Sequence, residues 1–129
     1  MHFFLHLEPP RTTAQEHKVT VRNGKLYFYD PPAVARAKAL LTANLARYIP
    51  QEPYEHGVRL LVKWCFPRGK HKDGEYKETK PDTDNLQKML KDCMTRLHYW
   101  KDDALVVSEI VEKFWAEIPG IYIEIEEIS

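Results

Sequence analysis

The chain has 129 residues, 43% of them apolar and 29% charged, with equal numbers of acidic and basic side chains. That length supports one domain, residues 1–129, around a single core, and no apolar run approaches the roughly 18 residues needed to span a bilayer, so no membrane partner is expected. The zero net charge hides an asymmetry: residues 1–100 carry 17 Lys/Arg against 11 Asp/Glu, and residues 101–129 carry 2 against 8. The positive part can form a phosphate-binding face with the acidic tail lying elsewhere, or both can be solvated surface.

In chain order, His2 to Leu7 reads as a first strand stopped by Pro9-Pro10. It lacks the basic start of a signal peptide. Lys18–Arg22 and Lys25–Tyr29 flank Asn23-Gly24, a two-residue hairpin signal because both turn positions tolerate positive φ. Asp30-Pro31-Pro32 opens a helix, with Asp30 or a neighbour as cap. Val34, Ala37, Leu41, Leu45 and Tyr48 then form its apolar stripe up to Pro50. Val58, Leu60, Val62, Trp64 and Phe66 alternate with Arg59, Leu61, Lys63 and Cys65, the period of a strand.

Pro67 to Lys80 is a basic loop carrying Arg68, Lys70, Lys72, Lys77 and Lys80, and Gly69 and Gly74 suggest that it is mobile. A second helix is expected from about Asn85 to Leu97, with Leu86, Met89, Leu90, Cys93 and Leu97 on one face. Leu105–Trp115 and Ile121–Ile128 complete the chain as strands joined near Pro119-Gly120. The resulting order is β-β-β-α-β-α-β-β: an α+β fold, with a mixed sheet and two helices packed on one face. Cys65 and Cys93 form no C-x-x-C pair and suit buried thiols in the reducing cytoplasm. Trp64, Trp100 and Trp115 read as core, and His98 as packed at a helix end.

The chemistry concentrates in Lys80-Pro81-Asp82-Thr83-Asp84-Asn85-Leu86-Gln87-Lys88 and Trp100-Lys101-Asp102-Asp103. Clustered carboxylates raise one another's pKa unless a positive charge lies among them, and Mg²⁺, with Mn²⁺ as a substitute, is the usual hard cation for that place. Asp84 with Gln87 also fits a helix cap, and Lys88 four residues on fits a surface ion pair. Asp82, Asp84 and Lys88 can instead converge at the positive end of the helix dipole. Asp102-Asp103 enters a strand, so one of the two is expected to face a site. A calcium loop starting at Asp82 is excluded, because it would place Leu86, Gln87 and Cys93 where oxygen ligands and glycine are required.

Asp82-x-Asp84-Asn85-Leu86-x-Lys88, followed by Trp100-x-Asp102-Asp103-Ala104-x-Val106-Val107, resembles the RusA family of Holliday junction resolvases. The element order and the early Pro9-Pro10 extend the resemblance over most of the chain. After those prolines the family often has Ser/Thr-x-Asn, whereas this chain has Arg11-Thr12-Thr13-Ala14-Gln15. The resemblance implies a small homodimer that binds branched DNA, the four-way junction, and nicks two opposed strands with Mg²⁺. It implies metal ligation by Asp82, Asp84 and Asp103, a catalytic Lys88, and action on nucleoid-associated DNA in the cytoplasm. Lys70, Lys72, Lys77, Lys80, Arg11, Lys18, Arg22 and Lys25 are candidates for DNA-backbone contacts, which position a duplex without reading its sequence. A nuclease for other branched DNA and a catalytically inactive junction-binding module remain open, as does an acidic interaction domain.

Overall fold

The computed structural model describes residues 1–13 and 18–128, without the side chains of residues 18 and 28. The Lys18 side chain, Ala14 and Gln15 therefore lie outside the described residues. Strands β1 (His2–Leu5), β2 (Lys18–Arg22) and β3 (Lys25–Tyr29) precede helix α1 (Pro32–Leu45). Strand β4 (Val58–Pro67), helix α2 (Thr83–Arg96), β5 (Val106–Ala116) and β6 (Gly120–Glu127) follow, with short 3-10 turns at Ala46–Tyr48 and Asp103–Leu105.

Four strands form one mixed sheet in the order β1-β6-β4-β5. β4 is central: β6 pairs with it antiparallel, placing Val62 opposite Ile123, and β5 pairs with it parallel, placing Val62 opposite Val111. The consecutive strands β5 and β6 therefore do not neighbour each other. A parallel pair needs a crossover, and α2 with its flanking loops supplies it. On β4 the alternation is complete, with Val58, Leu60, Val62, Trp64 and Phe66 buried while Arg59, Leu61, Lys63 and Cys65 are not. The buried set shares one core with Val34, Leu41 and Leu45 of α1 and Leu86, Met89, Leu90, Cys93 and Met94 of α2. Burying two helical stripes against one pleated face is what joins these elements.

The β2–β3 hairpin forms as its turn predicts, with φ of +53° at Asn23 and +76° at Gly24, but as a two-stranded sheet of its own. It exposes Val19, Val21, Leu26, Tyr27 and Tyr29, so these side chains are not packed into the core beside the larger sheet. Helix α1 starts at Pro32 with Pro31 at the cap position, while the Asp30 carboxylate takes the Lys38 ammonium at 2.9 Å. His98 is exposed rather than packed. Its φ of +62° ends α2, letting Tyr99 N–H return to the Met94 carbonyl at 3.0 Å. Trp64 and Trp100 are fully buried, but Trp115 is only partly so. No helix among the described residues is long and apolar enough to cross a membrane.

Candidate active site

Helix α2 presents two faces. The apolar one enters the core; on the other, Asp84, Gln87, Lys88 and Lys91 fall within about 100° of arc at 100° per residue. Across from them runs β5, and between the two lies an open cleft of about 360 Å³ walled by Thr83, Asp84, Gln87, Lys88, Lys91, Asp92, Asp103, Glu109 and Val111. Both structural explanations of the motif fail here. The cap position of α2 is Asp82, whose side chain accepts no capping hydrogen bond, and Asp84 sits in the first turn. Neither Asp84 nor Lys88 takes part in an ion pair among the described residues, with each other or elsewhere. Both are exposed on the cleft wall.

The paired aspartates separate by role. Asp102 caps the 3-10 turn, its Oδ1 accepting the Ala104 N–H at 2.8 Å, whereas Asp103 lines the cleft. A turn, not a strand, therefore decides which aspartate faces the site. Asp103 is not confined to this cleft. It shares an adjoining cavity with Asp92, Thr95 and Arg96, and Asp92 is eight residues along the helix from Asp84, about 12 Å at 1.5 Å per residue. Asp82 is exposed on the extended lead-in and is not among the lining residues. Accordingly, no three His, Cys, Asp or Glu among the described residues are placed to hold one ion. The donor chemistry still suits a hard divalent cation, since oxygen-only, unpaired carboxylates are what Mg²⁺ takes, completing its shell with water and phosphate oxygens. The three aspartates of the motif are thus not grouped as one ready-made ligand set among the described residues.

Several cleft residues escaped the sequence reading. Gln87 is 3% exposed and links core to cleft: its Oε1 accepts Trp64 Nε1–H at 2.8 Å, and its Nε2–H donates to Glu109 Oε2 at 2.8 Å. Glu109 Oε1 accepts from the Lys91 ammonium at 2.9 Å. Because indole N–H only donates, Trp64 fixes the Gln87 amide orientation, and that in turn holds the Glu109 carboxylate. The acidic tail thus does not lie elsewhere; β5 puts Glu109 in the cleft. Lys91 and Asp92 could have been found from helical spacing, since they follow Asp84 by seven and eight residues. Glu109 had no such signal.

The lead-in to Asp82 is held from β5, where the Lys113 ammonium donates to the carbonyls of Thr79 at 2.7 Å and Pro81 at 2.8 Å. Lys80-Pro81 is a cis peptide. The basic loop expected to be mobile is pinned along much of its length. Tyr76 stacks on Phe114 at 4.9 Å, and its hydroxyl donates to Glu112 Oε2 at 2.7 Å. Arg68 pairs with Glu117, whose N–H reaches Asp73 Oδ1 at 2.9 Å. Of the proposed DNA contacts, Lys70, Lys72, Lys80, Arg11, Arg22 and Lys25 are exposed, and Arg22 lines a cavity on the separate hairpin. Lys77 is partly buried, with its ammonium 4.1 Å from the Trp115 ring centre and 5.2 Å from that of Phe66.

The family described as Endodeoxyribonuclease RusA matches residues 9–126. A protein of Lactococcus phage r1t named Crossover junction endodeoxyribonuclease rusA is 34% identical over 129 residues, covering 98% of this chain and 97% of its own. The Uncharacterized protein YqaN of Bacillus subtilis (strain 168) is 31% identical over 122 residues, 85% of each chain. With nearly the whole length matched and the motif residues on one helix and the turn beyond it, the chain belongs to the RusA endodeoxyribonuclease family.

Proposed function

We propose that this protein is a Mg²⁺-dependent, structure-specific endodeoxyribonuclease that acts as a homodimer on four-way DNA junctions and nicks two opposed strands. The observation that carries the reading is one open cleft walled by Asp84, Lys88 and Asp103, with the carboxylate of Asp84 neither capping its helix nor paired. The printed name of the phage r1t relative supports a crossover junction as substrate.

Asp82, Asp84 and Asp103 are the proposed ligands of Mg²⁺, or of Mn²⁺ in its place, which when bound supplies charge neutralisation at the phosphate and acidifies a water. Lys88 holds an unpaired ammonium on the cleft wall, where negative charge grows on the phosphate under attack. The first turn of α2 adds free backbone N–H groups and the positive end of its dipole, which favour an anion beside Asp84. Homodimerisation belongs to this reading for a physical reason. No three such ligands of one chain are grouped to hold an ion among the described residues, so a second copy is the proposed source of a further carboxylate. Twofold symmetry then yields two equal sites for two strands. Lys70, Lys72, Lys80, Arg11, Arg22 and Lys25 are the proposed contacts to the DNA backbone.

The test is incubation of the purified protein with a labelled four-way junction and a matched linear duplex, with Mg²⁺ or with EDTA. Symmetric nicks confined to the junction and dependent on metal are expected, and Asp84→Asn should bind the junction while losing nearly all cutting. Equal cutting of the duplex, or cutting that survives EDTA or stays undiminished in the asparagine variant, sinks the reading.

A further inference from the structure

A further, smaller cavity of about 180 Å³ is lined by Arg11, Phe66, Lys77, Lys80, Pro81 and Trp115. Three of these six are cations, and among the described residues none of the lining is acidic. Crowding like charges without a carboxylate is unfavourable unless an anion visits. Lys77 is held at the centre of this arrangement by the Trp115 and Phe66 faces and by a hydrogen bond to Thr79 Oγ1. Burial first, then the positive charges of Lys113 and Arg11, pull its ammonium below the ordinary lysine range.

The aromatic floor invites a different ligand, a stacked base, but the geometry closes that option. Trp115 has the His71 ring parallel to it at 4.2 Å and the Lys77 ammonium at 4.1 Å. Both groups already pack on the Trp115 ring. Phe66 is 2% exposed, so its ring offers no platform either. The rings serve to fix and partly dehydrate Lys77. What the cavity leaves unfilled is negative charge, not stacking.

We propose that the cavity between Arg11, Lys77 and Lys80 is a phosphate subsite, which takes a backbone phosphate neighbouring the one that lies in the Asp84 cleft. The identity of the phosphate as DNA rests on the nuclease reading above; the anion site itself does not. The chain order Lys80-Pro81-Asp82 joins the subsite directly to the first aspartate of the motif, and Lys113 holds the connecting carbonyls. A strand seated on the three cations is thereby placed in register with the helix start.

Two measurements on the full-length chain test this. Junction affinity is followed across salt concentration for the unaltered protein, for Lys77→Met, which keeps the stem over the rings, and for Arg47→Gln, an exposed charge on the 3-10 turn after α1. Lys77→Met should weaken binding several-fold and reduce the slope of log K against log salt by about one, while Arg47→Gln changes neither. Separately, the Lys77 side-chain NMR resonance is titrated with inorganic phosphate at constant ionic strength set by chloride. A saturable shift that is lost in Arg11→Gln is expected. An unchanged slope in Lys77→Met, or no saturable phosphate shift, overturns the subsite. If the unaltered protein binds no junction, the nuclease reading fails, and the phosphate titration alone decides the cavity.

Discussion

The acidic cleft and the basic loop meet at Lys80-Pro81-Asp82, and each is the reverse of what its composition suggests. The loop, with two glycines and five basic residues, is fastened to β5 by stacking, ion pairs and carbonyl contacts from Tyr76, Arg68, Lys77 and Lys113. The cleft sits on a regular helix against a regular strand, yet among the described residues its acidic side chains form no group of three placed to hold one ion. A regular frame does not by itself assemble a site. Here the parts are spread over the start of α2 and the turn beyond it, and the glycine-containing loop is the organised approach to them.

The sharpest way to break this comparison is to ask whether Asp84 and Asp103 act within one chain or between two. Asp84→Asn and Asp103→Asn should each lower junction cutting on the order of 10²–10³-fold, the scale of removing one charge-stabilising group from a site. If sites form between copies, mixing the two variants makes heterodimers in which one site carries both substitutions and the other none. Nicking should then return on one strand per junction, measured on a substrate labelled on each strand in turn. If both aspartates serve within one chain, the mixture stays inactive.

A second prediction concerns the frame behind the cleft. Gln87→Leu leaves the fully buried Trp64 indole N–H without its acceptor and leaves the Glu109 carboxylate to Lys91 alone. We expect a loss of about 1–3 kcal/mol in urea unfolding, the cost of one buried unsatisfied donor. Adding Trp64→Phe, which removes the donor too, should recover part of that loss. A single substitution as destabilising as the pair would mean that Gln87 acts only through packing.

Much of the frame was legible in the sequence because its signals are local and periodic. The alternation of Val58 to Phe66, the stripe from Leu86 to Cys93 and the Asn23-Gly24 turn each specify their element without reference to anything distant. The D-x-D-N-L-x-K pattern likewise gave the helix face that carries Asp84 and Lys88. What the sequence could not carry were partners across long separations: Gln87 with Glu109 at 22 residues, Tyr76 with Glu112 at 36, Arg68 with Glu117 at 49. These depend on β5 lying parallel beside β4, a placement that no local pattern announces. The choice of Asp103 over Asp102 failed to follow from strand alternation for a related reason, because a 3-10 turn intervenes and its cap consumes Asp102.

The smallest expected effect tests how firmly the loop is held at its tip. Glu75 accepts the Lys72 backbone N–H at 3.0 Å and faces the His71 ring nitrogen at 3.5 Å. The Lys72 N–H chiefly sets its carboxyl below the ordinary glutamate range, against the next largest effect, burial, with the His71 contact adding a smaller pull downward. A lowered pKa means that the folded state favours the charged form. The stabilisation is therefore complete above the unfolded pKa and is lost as the pH falls through the folded one. Glu75→Gln should lower the urea midpoint slightly at neutral pH and leave it unchanged once both forms are protonated, so the two curves converge on the acid side. Because Glu75 is exposed, solvent screens the contact and the gap at neutral pH should be small. A gap that persists or widens in acid would show that Glu75 holds the loop through its shape and hydrogen bonding rather than its charge. In that case the loop's order comes from the aromatic and carbonyl contacts of Tyr76, Lys77 and Lys113 alone.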